Sequence, residues 1–172
     1  MIDMVGPAAG PLVAADVMAA LEDVADPEIP AVSIVELGMI GDIDVEADTI
    51  RVELLPTFVG CPAIEMIRSA VEQRLAGLGG GVDVRVDVSF ATPWTSDRIS
   101  ASGREKLRRS GFAPPPAVSS GRALPMLDAT PVACPYCGSL RTTLESAFGP
   151  TLCRSIRHCA DCRQPFESFK PI

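Results

Sequence analysis

The sequence has no long hydrophobic run. Nowhere in its 172 residues do about 18 consecutive uncharged apolar residues occur, although a transmembrane helix needs roughly that length. The first 20 residues, MIDMVGPAAGPLVAADVMAA, carry acidic charge where a secretory signal peptide carries basic charge. We therefore expect a soluble, cytoplasmic protein that has no membrane partner.

The chain also has no surplus of positive charge. Its 15 Lys and Arg residues stand against 22 Asp and Glu residues, which gives a formal net charge of -7. Affinity for a phosphate backbone comes largely from Lys and Arg that displace counterions. This charge balance disfavours a nucleic-acid-binding function, and we expect no nucleic-acid partner.

Histidine is almost missing, since His158 is the only one in the sequence. Cys61, which stands apart from the other five cysteines, therefore has no obvious general base, and this disfavours a cysteine protease or hydrolase. No Cys-x-x-Cys motif lies near a predicted strand–helix–strand unit, which disfavours a thioredoxin-type site. The sequence thus predicts no catalytic residue, and we expect that the protein is not an enzyme.

In a reducing compartment, its six cysteines indicate metal or thiol chemistry rather than disulfides.

The hydrophobic pattern predicts an α/β (α+β) fold. In the stretch VDVRVDVSF, four valines alternate with polar residues, as in a strand with one buried face. This strand follows a predicted helix that ends at three glycines, which suggests a βαβ unit in the order α-β-β-α-β. The predicted elements are a helix within 11–24, strands at 40–45 and 49–55, a helix from Pro62 to 79–81, a strand at 82–88 and a short helix at 102–110.

Three parts follow from this pattern. The first is the α-β-β-α-β domain, residues 11–112. Residues 113–131 are rich in Pro, Ser and Ala and are typical of a linker. Residues 132–172 form a unit of about 40 residues, too few to stabilise a core without a staple such as a metal.

Five cysteines lie in CPYCGSLRTTLESAFGPTLCRSIRHCADC, residues 134–162. Cys134 and Cys137 form one Cys-x-x-Cys pair, and Cys159 and Cys162 form a second pair after 21 intervening residues. Two such pairs can supply the four thiolates of a tetrahedral zinc ion. The pattern predicts a zinc ribbon with structural Zn²⁺, in which LRTTLES and PFESFK are strands.

Cys153 is left over from this arrangement. It could be a fourth zinc ligand that displaces one of the paired cysteines, a free buried thiol or a functional thiolate. His158 lies beside Cys159, and we interpret it as a bystander rather than a ligand.

Cys61 lies between a predicted strand and a predicted helix, in PTFVGCPA. The free amides of a helix N-terminus favour negative charge, so we expect a lowered pKa for this thiol. Thr57 could donate its hydroxyl toward the same point, and Asp26 and Glu28 of DPEIP could supply oxygen ligands. The alternatives are a small buried cysteine at a helix start and an ordinary Asp-capped turn.

Several segments resemble a known family. DPEIPAVSIVELGMI, LPTFVGCPA and VSFATPWTSDRIS are similar to the domain shared by SufT-like proteins and cytosolic iron–sulfur assembly factors. With CPYCGS, FGPTLCRS and CADCRQPFESFK added, the chain resembles the PaaD (PaaJ) family, the accessory subunit of phenylacetyl-CoA epoxidase. The resemblance runs from about residue 15 to residue 172.

The resemblance implies an iron–sulfur-assembly-type domain followed by a four-cysteine zinc ribbon. It implies a role in phenylacetate catabolism, in maturing the di-iron or iron–sulfur centres of the epoxidase. The partners would be its oxygenase subunits or its reductase. Cys61 would be the thiol that handles iron or a cluster transiently, with Asp26, Glu28 and Thr57 around it, and Cys153 belongs to the family pattern. The alternative is a structural adaptor subunit that handles no iron.

Overall fold

The computed structural model describes residues 12–78, 81–115 and 132–170. The predicted glycine stop at 79–81 and most of the predicted linker, 116–131, thus lie wholly or partly outside the described residues. The elements of the first part are α1 (Ala14–Leu21), β1 (Ile40–Val45), β2 (Thr49–Leu54), α2 (Ile64–Ala76), β3 (Asp83–Val88) and α3 (Ala101–Arg109). The predicted mixed α/β class and the order α-β-β-α-β are confirmed.

The first three strands form a sheet in which β2 is central. It pairs antiparallel with β1, where Ile43 lies opposite Val52, and parallel with β3, where Val52 lies opposite Val86. Within β2, Ile50, Val52 and Leu54 are fully buried and alternate with polar residues. This alternation places one face of the sheet in the core, as the sequence pattern predicted.

Helix α2 buries one stripe against this sheet. Its buried residues Ile67, Val71 and Leu75 recur every four positions, so they share one face of the helix. The helix begins two residues after the predicted start at Pro62, with Ala63 as its N-cap. The loop between β2 and α2 is therefore longer than predicted, and Cys61 lies in that loop.

The segment after β3 packs back on the residues that precede β1. The Trp94 indole N–H donates to the carbonyl oxygen of Leu37 at 2.9 Å, and Arg98 donates to the carbonyl oxygens of Gly38 and Ile40. Gly38 has φ +68°, and a Cβ there would clash with the carbonyl oxygen of Arg98. Only glycine accommodates both the backbone angle and this close contact.

The last part is a four-stranded sheet in the order β4–β7–β6–β5. Its strands are β4 (Phe112–Ala113), β5 (Thr142–Ser146), β6 (Arg154–Cys159) and β7 (Pro165–Phe169). Strands β5 and β7 agree with the predicted ones, whereas β4 and β6 were not predicted. Strand β4 lies across the predicted domain boundary at residue 112 and pairs parallel with β7.

The two parts share one core. Phe169 at the end of β7 is buried in the core of the first domain, and Cys153 packs against the same cluster. A smaller cluster holds Ala113 together with Cys134, Cys159 and Phe166. The ribbon is thus packed directly on the first domain.

Within the described parts of the chain, no helix is long and apolar enough to span a membrane.

Candidate functional site

The four paired cysteines converge at one end of the ribbon. The sulfurs of Cys134, Cys137, Cys159 and Cys162 lie within 4.8 Å of one another. The distances from Cys134 Sγ to Cys162 Sγ and from Cys137 Sγ to Cys159 Sγ are both 3.6 Å. Four sulfurs bound at 2.3 Å to one tetrahedral zinc ion would lie about 3.8 Å apart. The geometry therefore fits a closed four-thiolate zinc site.

Local backbone turns bring these sulfurs together. Gly138 has φ +75°, and its N–H donates to the carbonyl oxygen of Cys134 at 2.9 Å. At the second pair, the N–H of Arg163 donates to the carbonyl oxygen of Cys159, again at 2.9 Å. Both turns fold a Cys-x-x-Cys pair so that its two side chains point the same way.

Among the residues that the structure describes, these four form the only group of three or more metal-ligating side chains so closely spaced. Neither Cys153 nor His158 belongs to it. Of the three roles left open for Cys153, that of a zinc ligand replacing one of the paired cysteines does not fit this arrangement.

Cys153 lies instead in a second place, a pocket at the junction of the two parts. The pocket lies between the loop at 26–29, the loop before α2 and the loop that leads into β6. Its volume is about 20 Å³, which holds a water molecule or a single ion. The polar and thiol side chains that line it are Asp26, Glu28, Thr57, Cys61, Thr151, Cys153 and Arg154.

Cys61 contributes a half-buried thiol to this pocket. Its N–H donates to the carbonyl oxygen of Phe58 at 3.2 Å, in the tight turn before α2. Burial raises the pKa of the Cys61 thiol, and the nearby Cys153, Glu28 and Asp26 raise it further, although a backbone hydrogen bond with Ala63 opposes them. The prediction of a lowered pKa is therefore wrong. Desolvation and neighbouring acidic groups outweigh the helix terminus.

Asp26 and Glu28 face the pocket from a tight turn. Asp26 Oδ1 accepts the N–H groups of Glu28 at 2.8 Å and of Ile29 at 2.9 Å. Burial raises the pKa of the Asp26 carboxyl, while these backbone bonds and Arg154 oppose the change. The Asp-capped turn predicted as the alternative is present, and both of its acidic residues line the pocket together with Cys61. This turn therefore has a structural role and also contributes two side chains to the pocket.

Cys153 comes from the ribbon. Its sulfur lies 3.2 Å from Thr151 Oγ1, and its carbonyl oxygen accepts the N–H of Lys170 at 2.9 Å. The second contact ties the start of β6 to the end of β7. The structure thereby brings together two thiols that lie 92 positions apart in the sequence.

Arg154 was not among the predicted site residues. Its guanidinium donates to Glu28 Oε2 at 2.6 Å and to Glu167 Oε2 at 2.9 Å, and its side chain is only 6% exposed. It also lies over the Phe112 ring, with Cζ 5.1 Å from the ring centroid. A buried arginine needs carboxylate partners, but nothing in the sequence pairs Arg154 with Glu28, 126 positions away.

Comparison with known proteins matches both parts of the chain. A family described as "PaaD zinc beta ribbon domain" matches residues 121–170, and one described as "Iron-sulfur cluster assembly protein" matches residues 14–88. A protein of Escherichia coli K12, provisionally named as a subunit of 1,2-phenylacetyl-CoA epoxidase, is 36% identical over 91% of this chain and 92% of its own length.

Other relatives match the first domain alone. The Fe-S protein maturation auxiliary factor YitW of Bacillus subtilis is 37% identical over 49% of this chain and 83% of its own length. A solved structure of a conserved hypothetical protein from Thermotoga maritima has a TM-score of 0.50 and 32% identity, covering 58% of this chain and 97% of its own. The chain therefore belongs to the PaaD family, and it joins an iron–sulfur cluster assembly domain to a zinc β ribbon.

Proposed function

We propose that the protein is an accessory factor that matures the metal centres of a multicomponent phenylacetyl-CoA epoxidase. The cargo is iron or an iron–sulfur cluster, handed to an oxygenase subunit or to the reductase. The protein itself turns over no substrate. The names of the relatives support this proposal, because one is called an epoxidase subunit and another an Fe-S protein maturation factor.

The observation that carries the proposal is the set of side chains around Cys61. A thiol, two carboxylates and the Thr57 hydroxyl line a space large enough for one ion. Sulfur and carboxylate oxygen are both iron ligands in proteins. Pockets for organic ligands measure about 300 to 1,000 Å³, so a pocket this small favours metal cargo over a coenzyme A ester.

The ribbon has a separate role in this proposal. Four thiolates complete the coordination of zinc and leave no open position, so the zinc holds the fold rather than taking part in transfer. Zinc is structural, and the ion that visits Cys61 is transient cargo.

Replacing Cys61 by Ser tests the proposal. In cells whose own copy of the gene is deleted, we expect C61S to lower epoxidase activity by at least about tenfold, because a hydroxyl is a much weaker iron ligand than a thiolate. Zinc content and circular dichroism should stay unchanged. Val59→Ala is the matched control, since this side chain lies in the same loop, is 75% exposed and offers no ligand atom. Full activity of C61S would contradict the proposal.

A structural adaptor that handles no iron is the second candidate. Tyr136, Leu140 and Phe148 of the ribbon are each more than half exposed, and an adaptor would use such apolar side chains to contact its partner. An adaptor would keep full activity in C61S and would lose it when Leu140 and Phe148 are replaced by Ser. The same assay therefore separates the two functions.

A further inference from the structure

The pocket at the junction contains two thiols that come from different units. Cys61 belongs to the assembly domain and Cys153 to the ribbon, and both line the same small space. Each is half-buried, and neither is part of the four-cysteine cluster. Two thiols that face one ion-sized cavity can bind the same soft or borderline metal ion.

Each carboxylate of the pocket has one oxygen engaged in hydrogen bonds. Arg154 holds Glu28 through a 2.6 Å hydrogen bond, and the backbone of the turn holds Asp26. Among the described residues, no three ligating groups of this pocket lie within 4.8 Å of one another. The two thiols are the soft ligands able to carry negative charge that the pocket offers to one ion.

Resting on the function proposed above, we infer that Cys61 and Cys153 together bind a single divalent ion of the Fe²⁺ or Zn²⁺ type across the junction of the two units. The ribbon then supplies one of the two ligands of the transfer site, Cys153, in addition to packing on the first domain. With two protein thiolates, the ion keeps open coordination positions, unlike the zinc in the four-cysteine cluster. An incomplete ligand set of this kind suits an ion that must be released to another protein.

Cobalt binding to the full chain tests this site. The zinc-loaded, reduced protein is titrated with Co²⁺ without oxygen, and the near-ultraviolet thiolate-to-cobalt charge-transfer absorption is followed. We expect the native chain to bind one Co²⁺ while keeping about one zinc per chain, and to show no response to Mg²⁺, which prefers oxygen ligands.

The two cysteine variants should behave alike. C61S and C153S should each weaken Co²⁺ binding about 10- to 100-fold or more, since even outer-shell partners of a metal are worth that much. The double variant should be little worse than either single one, because both thiols serve the same ion. Leu152→Ala is the matched control, as Leu152 lines the same pocket without a ligand atom.

The outcomes separate this inference from the function on which it rests. Native affinity in C153S, or losses that add in the double variant, would overturn the shared site. If C61S alone lost both Co²⁺ binding and epoxidase activity in cells, the maturation function would stand without Cys153. If both single variants kept full activity in cells, the maturation function itself would fail.

Discussion

Arg154 is the residue at which the two units depend most on each other. It is almost fully buried, and its two carboxylate partners, Glu28 and Glu167, come from the assembly domain and the ribbon respectively. Each partner compensates the cost of burying the guanidinium charge. Removing the arginine would leave both carboxylates facing each other across the junction without a cation.

We therefore expect Arg154→Met to destabilise the protein by about 3 kcal/mol. This is the low end for breaking a buried pair, because Glu28 and Glu167 remain 30% and 26% exposed. Urea unfolding of the zinc-loaded protein measures the change. Arg108→Met is the control, since its pair with Glu105 is exposed and should contribute almost nothing. Equal losses in the two variants would contradict the role of Arg154.

The sequence singled out individual site residues, but it could not predict that they lie together at one pocket. Cys61, Asp26, Glu28 and Thr57 stood out by type and by local motif, and the structure places all four at one pocket. The pKa of Cys61 depends on burial and on a cysteine 92 positions away, which no local pattern contains. The same holds for the partners of Arg154.

The strands of the ribbon show why apolar–polar alternation in the sequence predicts some strands and misses others. Strand β6 lies in the middle of its sheet, yet its buried residues include Arg154, Ser155 and Arg157. Polar residues at buried positions remove the apolar alternation that marks a strand. Strands β2 and β3 keep that alternation, and their predicted bounds agree with the structure within one residue.

Removal of the zinc should destabilise the strands of the ribbon and leave the first sheet folded. Because the ribbon has a small core of its own, we expect chelation of zinc to abolish amide-exchange protection in β5, β6 and β7. The central strand β2, which pairs on both sides and has a fully buried face, should remain protected. Hydrogen exchange with mass spectrometry measures both, and restoring zinc should restore the ribbon. Ribbon strands that stay protected without metal would refute a stabilising role for zinc.

At the scale of the whole molecule, the zinc cluster and the thiol pocket lie at opposite ends of one strand. Strand β6 begins at Arg154, next to Cys153, and ends at the zinc ligand Cys159. Six residues of strand separate the two sites by roughly 17 Å. Zinc therefore fixes the strand whose other end covers Cys61.

We accordingly expect zinc removal to make Cys61 more reactive, although Cys61 does not bind the zinc. In the folded protein, burial raises the pKa of this thiol, so little of the reactive thiolate exists at neutral pH. Once the ribbon no longer covers the pocket, the pKa should fall toward its ordinary value and alkylation should become faster. Site-resolved mass spectrometry after a short iodoacetamide pulse measures the rate. An unchanged rate after chelation would show that the ribbon does not shield Cys61.

The division into a first domain and a ribbon came from hydrophobic pattern, the proline-rich stretch and cysteine spacing, and the structure adds how the two are joined. Packing of Phe169 into the first core and the pairing of β4 with β7 both need contacts over long sequence separations. Strand β4 has only two residues, too short for any periodic signal. The predicted boundary at residue 112 stays a prediction, with β4 lying across it.

The position of β4 determines which residues must accompany the ribbon when it is transferred to another protein. A graft that starts at residue 132 would carry the zinc ligands but would leave β7 without β4, one of its two neighbours, and Phe166 without the Ala113 side chain packed in the same cluster. Its exposed strand edge would invite pairing with other chains. A graft that keeps β7 paired on both sides has to begin at Phe112, so the last residues before the proline-rich stretch belong, in engineering terms, to the unit that follows it.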